Sequence, residues 1–329
     1  MIGRAAGWIV ARGPAMMALA LVAGLVVPDL ARLLATAIVP ASIVGQTLAM
    51  VRIAPAELLL TGRRVRLIAV SLAAVLCLAP AVTAGGLRLA GVEPSGPAMG
   101  PAMGPAMGPA MGMALYAMAP PLLSAPAFAV MLGLDVVLAA ALALVGTLLV
   151  PLTAPLLAAS LLGVDFALDP ADLALRLFAL VALIFGGALA LRRILGPVAL
   201  ARHATSIDLV MIVALMVFAC GAMDLVGAEI RRAPLHVLLH VAAATGLNVA
   251  FQAVAVALAW PLGPRTALTL GMIAGNRNSI LMIAAVGLAT SPELTLFFVA
   301  SQLPLFLMPI TAQPVYGWLR RRAGGGGAA

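Results

Sequence analysis

Residues 271–287, GMIAGNRNSILMIAAVG, place Asn-Arg-Asn-Ser inside a run that is otherwise almost entirely apolar. The chain around this run is also strongly apolar, with 64% hydrophobic and 9% charged residues and a mean hydropathy of +1.18. These values lie far outside the range of soluble domains and predict a polytopic membrane protein. Arg277 would then lie at membrane depth, where an arginine costs roughly 2.5–3.5 kcal/mol and normally faces protein or water.

Ten apolar runs have the length expected of membrane spans or come close to it. They cover residues 14–28, 32–51, 65–86, 112–132, 134–160, 172–192, 207–226, 234–260, 264–288 and 293–318. With both termini in the cytoplasm, 13 of the 19 basic residues fall in inner connections and five in outer ones. This is the bias of cytoplasmic loops, so we expect ten transmembrane helices with both termini cytoplasmic.

The basic residues also bear on source and partners. All 19 are arginines, and with the abundant Ala, Gly and Pro this suggests a GC-rich bacterial genome and therefore a bacterial inner-membrane protein. The net charge of +8 does not indicate nucleic acid, because the arginines lie in short connections rather than on one basic face.

Two of the runs are interrupted in comparable ways. The fourth contains Pro120, Pro121 and Pro126, and the ninth has Gly271 and Gly275 ahead of the polar residues. Each is the fourth run in its group of five, and corresponding Gly/Pro-interrupted segments in two halves are typical of transporters built from inverted repeats. The sequence therefore predicts a 5+5 inverted repeat, with a site near the membrane midplane that the broken helices line.

Residues 96–112 repeat the tetrapeptide Gly-Pro-Ala-Met. The Gly-Pro content argues against a helix, so we interpret this stretch as a low-complexity loop without chemistry. The alternative is a loop of methionines that binds a metal ion.

Three stretches resemble the bile acid:sodium symporter superfamily. Residues 119–157 look like its fourth and fifth segments, residues 275–281 (GNRNSIL) are similar to its Gly-Met-Gln-Asn-Ser-Gly-Leu motif, and residues 43–58 resemble its second segment. The resemblance implies an all-α fold in which a core domain, with crossing fourth and ninth helices, lies against a panel domain. The panel would comprise residues 1–64 and 163–232, and the core residues 65–162 and 233–320, followed by a tail at 321–329.

The chain departs from that family where the family binds sodium. The family's glutamine in the ninth segment is replaced by Arg277. The positions that correspond to its other sodium ligands fall at or next to Ile273, Pro126, Ala127, Ala139, Ala143 and Val75. Sodium requires several oxygen ligands, so we expect both sodium sites to be lost and Arg277 to supply a fixed positive charge instead.

Two roles for Arg277 remain open from the sequence. The side chain can donate to backbone carbonyls at the negative end of a half-helix, or it can bind a carboxylate or sulfonate of a substrate with its planar guanidinium. Asn276, Asn278 and Ser279 would orient the guanidinium or the substrate, or cap a half-helix.

The eighth run carries two further polar patterns. Thr245, Asn248 and Gln252 fall on one helical face, where they either form interhelical hydrogen bonds or line a cavity. His236 and His240 are four residues apart and could bind a metal or relay a proton. Their position beside the Arg231–Arg232 pair favours an interfacial role, so no metal site is predicted.

These observations predict a secondary carrier that moves a small organic anion by alternating access, without a cofactor and with the coupling ion open. No catalytic triad, HExxH motif or phosphate-binding loop occurs, so neither an enzyme nor ATP-driven transport is expected. The predicted substrate-binding residues are Arg277, Asn276, Asn278, Ser279, Ser124, Asn248 and Gln252. The alternatives are an arsenite-type exporter of the same superfamily, disfavoured because Cys77 and Cys220 lie outside the fourth run, and a non-transporting binding or scaffold protein.

Overall fold

The computed structural model describes residues 7–10, 12–53, 62–92, 107–162, 169–286 and 292–324. Within these ranges the chain is almost entirely helical and forms no β-strand. The helices are α1 (Gly13–Val26), α2 (Pro28–Ala35), α3 (Ile38–Arg52), α4 (Gly62–Leu89), α5 (Met107–Met118), α6 (Ala125–Leu132), α7 (Val136–Leu162), α8 (Pro170–Arg202), α9 (Ala204–Arg232), α10 (Pro234–Ala259), α11 (Pro264–Gly275), α12 (Ser279–Val286), α13 (Pro292–Ala300), α14 (Gln302–Thr311) and α15 (Gln313–Gly324).

Five of the described helices are long and apolar enough to cross a membrane: α4, α7, α8, α9, and α10 with the 3₁₀ turn that follows it. A sixth span results if α1 and α2 count as one, although the chain bends by 109° between them. The bend lies at Pro28, which has no N–H to continue the first helix. The structure thus shows a helical protein suited to a membrane, while ten spans and the inverted repeat remain predictions.

The two predicted interruptions are confirmed. The fourth run forms α5 and α6 with a break at residues 119–124, and the ninth forms α11 and α12 with a break at residues 276–278. The first break follows from Pro120 and Pro121, which cannot donate to the preceding turn. Both breaks therefore expose backbone polar groups that need partners elsewhere in the protein.

Two predictions of local structure were wrong in part. Residues 107–112 belong to α5 rather than to the predicted loop, while residues 93–106 lie outside the described part. Pro109 falls in the first turn of this helix, where a missing N–H costs nothing. The tenth run is not one helix but α13, α14 and α15, because Pro304 and Pro314 lie in the first turns of α14 and α15.

Helix α4 contains a π-helical segment, Ala74–Leu78, that matters for the site. The N–H of Ala79 donates to the carbonyl of Ala74, five residues back. Pro80 has no N–H to offer to Val75. The carbonyl of Val75 therefore lacks a donor within its own helix and is available to another part of the chain.

Glycines bring α11 close to α10. A Cβ atom at Gly275 would lie 2.7 Å from the carbonyl oxygen of Asn248, and one at Gly271 would lie 3.0 Å from that of Gln252. The first distance is too short for any Cβ atom and the second is tighter than most real Cβ contacts, so glycine lets the two helix backbones pack this closely. This contact fixes the end of α11, and with it the second break.

Candidate functional site

The two helix breaks cross and pair with each other. The N–H of Leu122 donates to the carbonyl of Asn276 over 3.0 Å, and the N–H of Asn278 donates to the carbonyl of Pro120 over 2.7 Å. Pro121 and Arg277 form an isolated antiparallel bridge between these bonds. Backbone groups that each break exposes are thus satisfied by the other, as required where no water is present. We call residues 119–124 and 276–278 the crossing.

Arg277 lies at the centre of the crossing and is 0% exposed. Its Nε donates to the carbonyl of Ala274 over 2.7 Å, and its Nη1 donates to the carbonyls of Val75 over 2.8 Å and Ala119 over 3.1 Å. The guanidinium carbon lies 5.0 Å from the centre of the Phe251 ring, within range of a cation–π contact. Among the described residues, no carboxylate lies within 4.0 Å of the guanidinium.

These contacts confirm that Arg277 binds backbone carbonyls at the end of a half-helix. Ala274 is in the last turn of α11, and Ala119 directly follows α5, so two negative helix ends surround the cation. The Nη2 atom has no hydrogen-bond partner in the described part of the chain. Whether Arg277 also binds an anion is not tested by these contacts and stays a prediction.

Asn278 connects the crossing to helix α3. Its Oδ1 accepts from the N–H of Leu281 over 3.2 Å, so Asn278 caps the first turn of α12. Capping a half-helix was one of the two roles predicted for this residue. Its Nδ2 donates to Oε1 of Gln46 over 2.6 Å. Gln46 is 5% exposed, and its Nε2 has no partner among the described residues.

Asn276 and Ser279 form more local contacts. Nδ2 of Asn276 donates to the carbonyl of Met272 over 2.8 Å. Oγ of Ser279 accepts from Nε2 of Gln302 over 2.7 Å and from Oγ of Ser301 over 3.2 Å. Both residues are fully buried, and their contacts hold the ends of α11 and α12 in place.

Asn248 and Gln252 belong to a buried chain of hydrogen bonds that starts at the crossing. Asn248 Nδ2 and Tyr116 Oη both donate to the carbonyl of Gly275, over 2.7 and 2.8 Å. Gln252 Nε2 donates to Asn248 Oδ1 over 2.5 Å, and Tyr316 Oη donates to Gln252 Oε1 over 2.7 Å. Asn248 and Gln252 of the predicted polar stripe therefore face the protein interior and form interhelical hydrogen bonds, whereas Thr245 is only partly buried.

A cavity of about 480 Å³ lies next to the crossing. Helices α1, α3 and α9 form one wall, and α6, α7 and Ser124 form the other. Its polar lining residues include Ser124 and an ion pair in which Arg52 Nε lies 2.9 Å from Asp208 Oδ1. Of the seven predicted substrate-binding residues only Ser124 lines this cavity. The other six are buried away from it: Asn276, Arg277 and Asn278 in the crossing, Ser279 at the start of α12, and Asn248 and Gln252 in the hydrogen-bond chain.

Several residues of the site were not among the predicted ones. Gln46, Tyr116, Gln302 and Tyr316 each contribute a buried polar group. The signal that could have found Gln46 and Gln302 is the same that found Arg277, a polar side chain inside an apolar run. Arg52 is one of the 13 basic residues assigned to inner connections, and nothing in its local sequence indicates a cavity.

The sequence matches no protein-family model, and it matches none of the curated proteins. The resemblance described above therefore stays a prediction.

Proposed function

We propose that the chain is a secondary carrier whose substrate occupies the cavity beside the crossing. The observation that carries the proposal is the position of this cavity. It lies between α1, α3 and α9 on one side and α6, α7 and Ser124 on the other, and Ser124 is part of the crossing. A cavity of about 480 Å³ lies within the range of sites for small organic molecules.

The two walls match the two bodies that alternating access requires. Helices α1, α3 and α9 belong to the predicted panel, and α6 and α7 to the predicted core. In this proposal the core moves against the panel and exposes the cavity to each side of the membrane in turn. The hydrogen bond between Gln46 and Asn278 crosses the same boundary and would have to break or shift during that movement.

A small organic anion is the substrate class that the charges favour. Arg52 lines the cavity, its closest contact with Asp208 is through Nε, and its side chain is 45% exposed, so its guanidinium is placed to bind a carboxylate or sulfonate. Ser124 adds a hydroxyl on the opposite wall. The apolar residues between them, such as Ala140 and Leu215, suit the hydrocarbon part of such a molecule.

Transport would not require the two sodium ions of the family that the chain resembles. The guanidinium of Arg277 is held by carbonyls from three chain segments at the crossing, so a fixed cation stands in the region that the resemblance assigns to sodium. The proposal places the protein in a bacterial inner membrane with both termini in the cytoplasm. It leaves open the direction of transport and the coupling ion. The two cysteines do not line the cavity, which disfavours the arsenite-type alternative.

The first test is a thermal-shift screen of the purified protein with small carboxylates and sulfonates, each with and without sodium. A carrier is stabilised by its substrate through mass action, so we expect at least one anion to raise the melting temperature without sodium. The anion that does so is then tested for uptake by proteoliposomes.

Two tryptophan variants locate the binding site. Ala127 is exposed and lines the cavity, so Ala127→Trp should fill it and abolish both stabilisation and uptake. Ala159 is exposed on the distant part of α7, and Ala159→Trp serves as the matched control. If no anion stabilises the wild type, the carrier proposal is wrong and the non-transporting alternative is favoured. If both variants respond as the wild type does, the substrate does not occupy this cavity.

A further inference from the structure

Three potential metal ligands meet where α10 begins. His236 and His240 lie one turn apart on α10, and Glu293 reaches them from α13. His236 Nε2 lies 2.9 Å from Glu293 Oε2, and His240 Nε2 lies 3.5 Å from the same oxygen. All three ligand atoms lie within 4.8 Å of one another. Ligands of a tetrahedral zinc ion are about 3.3 Å apart, given bonds of about 2.0 Å, so only small shifts would be needed.

The histidine nitrogens are oriented for such a role. His240 Nδ1 lies 2.9 Å from the carbonyl of His236, a contact in which the ring donates its proton through Nδ1 and leaves Nε2 as the lone-pair nitrogen. His236 Nδ1 lies 3.3 Å from Glu229 Oε1. Metal-binding histidines typically have a backbone carbonyl or carboxylate on the second ring nitrogen, which orients the first.

Burial supplies a second, independent observation. His240 is 0% exposed, and its Nε2 has no hydrogen-bond partner in the described part of the chain. An unpaired nitrogen inside a protein is costly, and this one lies 3.5 Å from Oε2 of Glu293. The Glu293 side chain is 47% exposed, which gives an ion a route from solvent.

We propose that His236, His240 and Glu293 form a binding site for a divalent transition-metal ion, with Zn²⁺ as the reference ion. Two imidazole nitrogens and one carboxylate oxygen suit Zn²⁺ and disfavour Mg²⁺ and Ca²⁺, which prefer oxygen ligands. With three protein ligands, a fourth position stays open to water or to a further ligand. Glu229 would be a positioning residue that orients His236.

A bound ion would join separate parts of the chain. His236 and His240 belong to α10 and Glu293 to α13, while Glu229, behind His236, lies near the end of α9. The ion would therefore hold the start of α10 against α13. This proposal does not depend on the transport function, because it concerns residues that do not line the cavity.

The test is zinc binding by the full-length purified protein after removal of metals with a chelator. Isothermal titration with ZnCl₂ gives affinity and stoichiometry, and titration with CoCl₂ gives an absorption spectrum that reports nitrogen ligands and geometry. We expect one Zn²⁺ per chain, with MgCl₂ producing no comparable signal.

The chain provides a matched control, since its third histidine, His203, lies at the junction of α8 and α9. We expect His240→Gln and Glu293→Gln each to weaken zinc binding by on the order of 100-fold or more, and Glu229→Gln by about 10–100-fold. His203→Gln should bind as the wild type does. Glu293→Gln changes a partly exposed side chain and keeps the test valid if His240→Gln fails to fold.

Two results would overturn the metal site. One is a wild-type protein that binds no Zn²⁺ or Co²⁺ at concentrations up to about 100 μM, far above the range in which protein zinc sites bind. The other is a folded Glu293→Gln variant with wild-type affinity, stoichiometry and cobalt spectrum. In either case the three residues form only a histidine–carboxylate hydrogen-bonded cluster.

Discussion

Nη1 of Arg277 lies 2.8 Å from the carbonyl oxygen of Val75, which is 202 positions earlier in the chain. That carbonyl has no donor in its own helix because of the π-helical segment and Pro80. One guanidinium therefore satisfies a local defect in α4 and, through Ala274 and Ala119, the ends of α11 and α5. The contact makes Arg277 a structural link between the two halves of the protein.

Replacing Arg277 with methionine should strongly destabilise the protein. Arg277→Met keeps an unbranched side chain but leaves the carbonyls of Ala274, Val75 and Ala119 without this donor. We expect the free energy of unfolding to fall by about 2–5 kcal/mol, since buried unpaired polar groups cost about 1–3 kcal/mol each and membrane contacts contribute less. Denaturant unfolding in detergent measures the change. Arg193→Gln, at an exposed position, is the control, and equal stability of both variants would contradict the structural role.

Adding a methyl group at Gly275 should push α11 away from α10. The new Cβ would contact the carbonyl of Asn248 and the side chain of Gln252, so Gly275→Ala should cost about 1–3 kcal/mol of unfolding free energy. Gly246, on the neighbouring helix α10, has open space around its Cβ position. Gly246→Ala should therefore leave stability unchanged or raise it by up to about 1 kcal/mol. Melting temperatures of the two variants in one detergent decide the matter, and a Gly275→Ala protein as stable as Gly246→Ala would disprove the close packing.

The contact between Tyr316 and Gln252 should appear as a coupling energy. Tyr316→Phe removes the donor to Gln252 Oε1 and should cost about 1–2 kcal/mol, because that oxygen is left unpaired inside the protein. Combining it with Gln252→Leu completes a double-mutant cycle. We expect an interaction free energy of about 0.5–2 kcal/mol. Strict additivity of the two single changes would show that α15 is not coupled to α10 through this bond.

Arg52 and Asp208 should affect anion binding in opposite directions. If an anion binds the terminal nitrogens of Arg52, then Arg52→Gln should weaken it on the order of tenfold, the value of one charge-assisted hydrogen bond. Asp208→Asn removes the competing carboxylate at 2.9 Å and should strengthen binding severalfold. Dissociation constants for the anion found in the thermal-shift screen provide the measurement. Weaker binding in both variants would mean that the ion pair is needed for the shape of the cavity rather than for charge.

Local sequence was sufficient to predict the broken helices and the interior position of the polar residues. Pro120, Pro121 and the glycines of the ninth run act through backbone geometry over one or two turns, and this is readable from neighbouring residues alone. The partner of Arg277 at Val75 was not predictable in this way, because it depends on a π-helical segment whose signal is one proline. Glu293 illustrates the same limit, since only tertiary packing brings it to His236 and His240.

The connection from Arg277 to Val75 and Ala119 also affects the order of assembly during synthesis. Membrane proteins emerge N-terminus first, so α4 and α5 are made well before their donor, which is 202 and 158 positions later. Until residue 277 arrives, two carbonyls have to find water, lipid head groups or the insertion machinery as partners, because an unpaired carbonyl in hydrocarbon costs several kcal/mol. The first half of this protein is therefore expected to be incomplete as a folding unit, and a ribosome that stops early would leave a fragment for the cell's quality-control proteases.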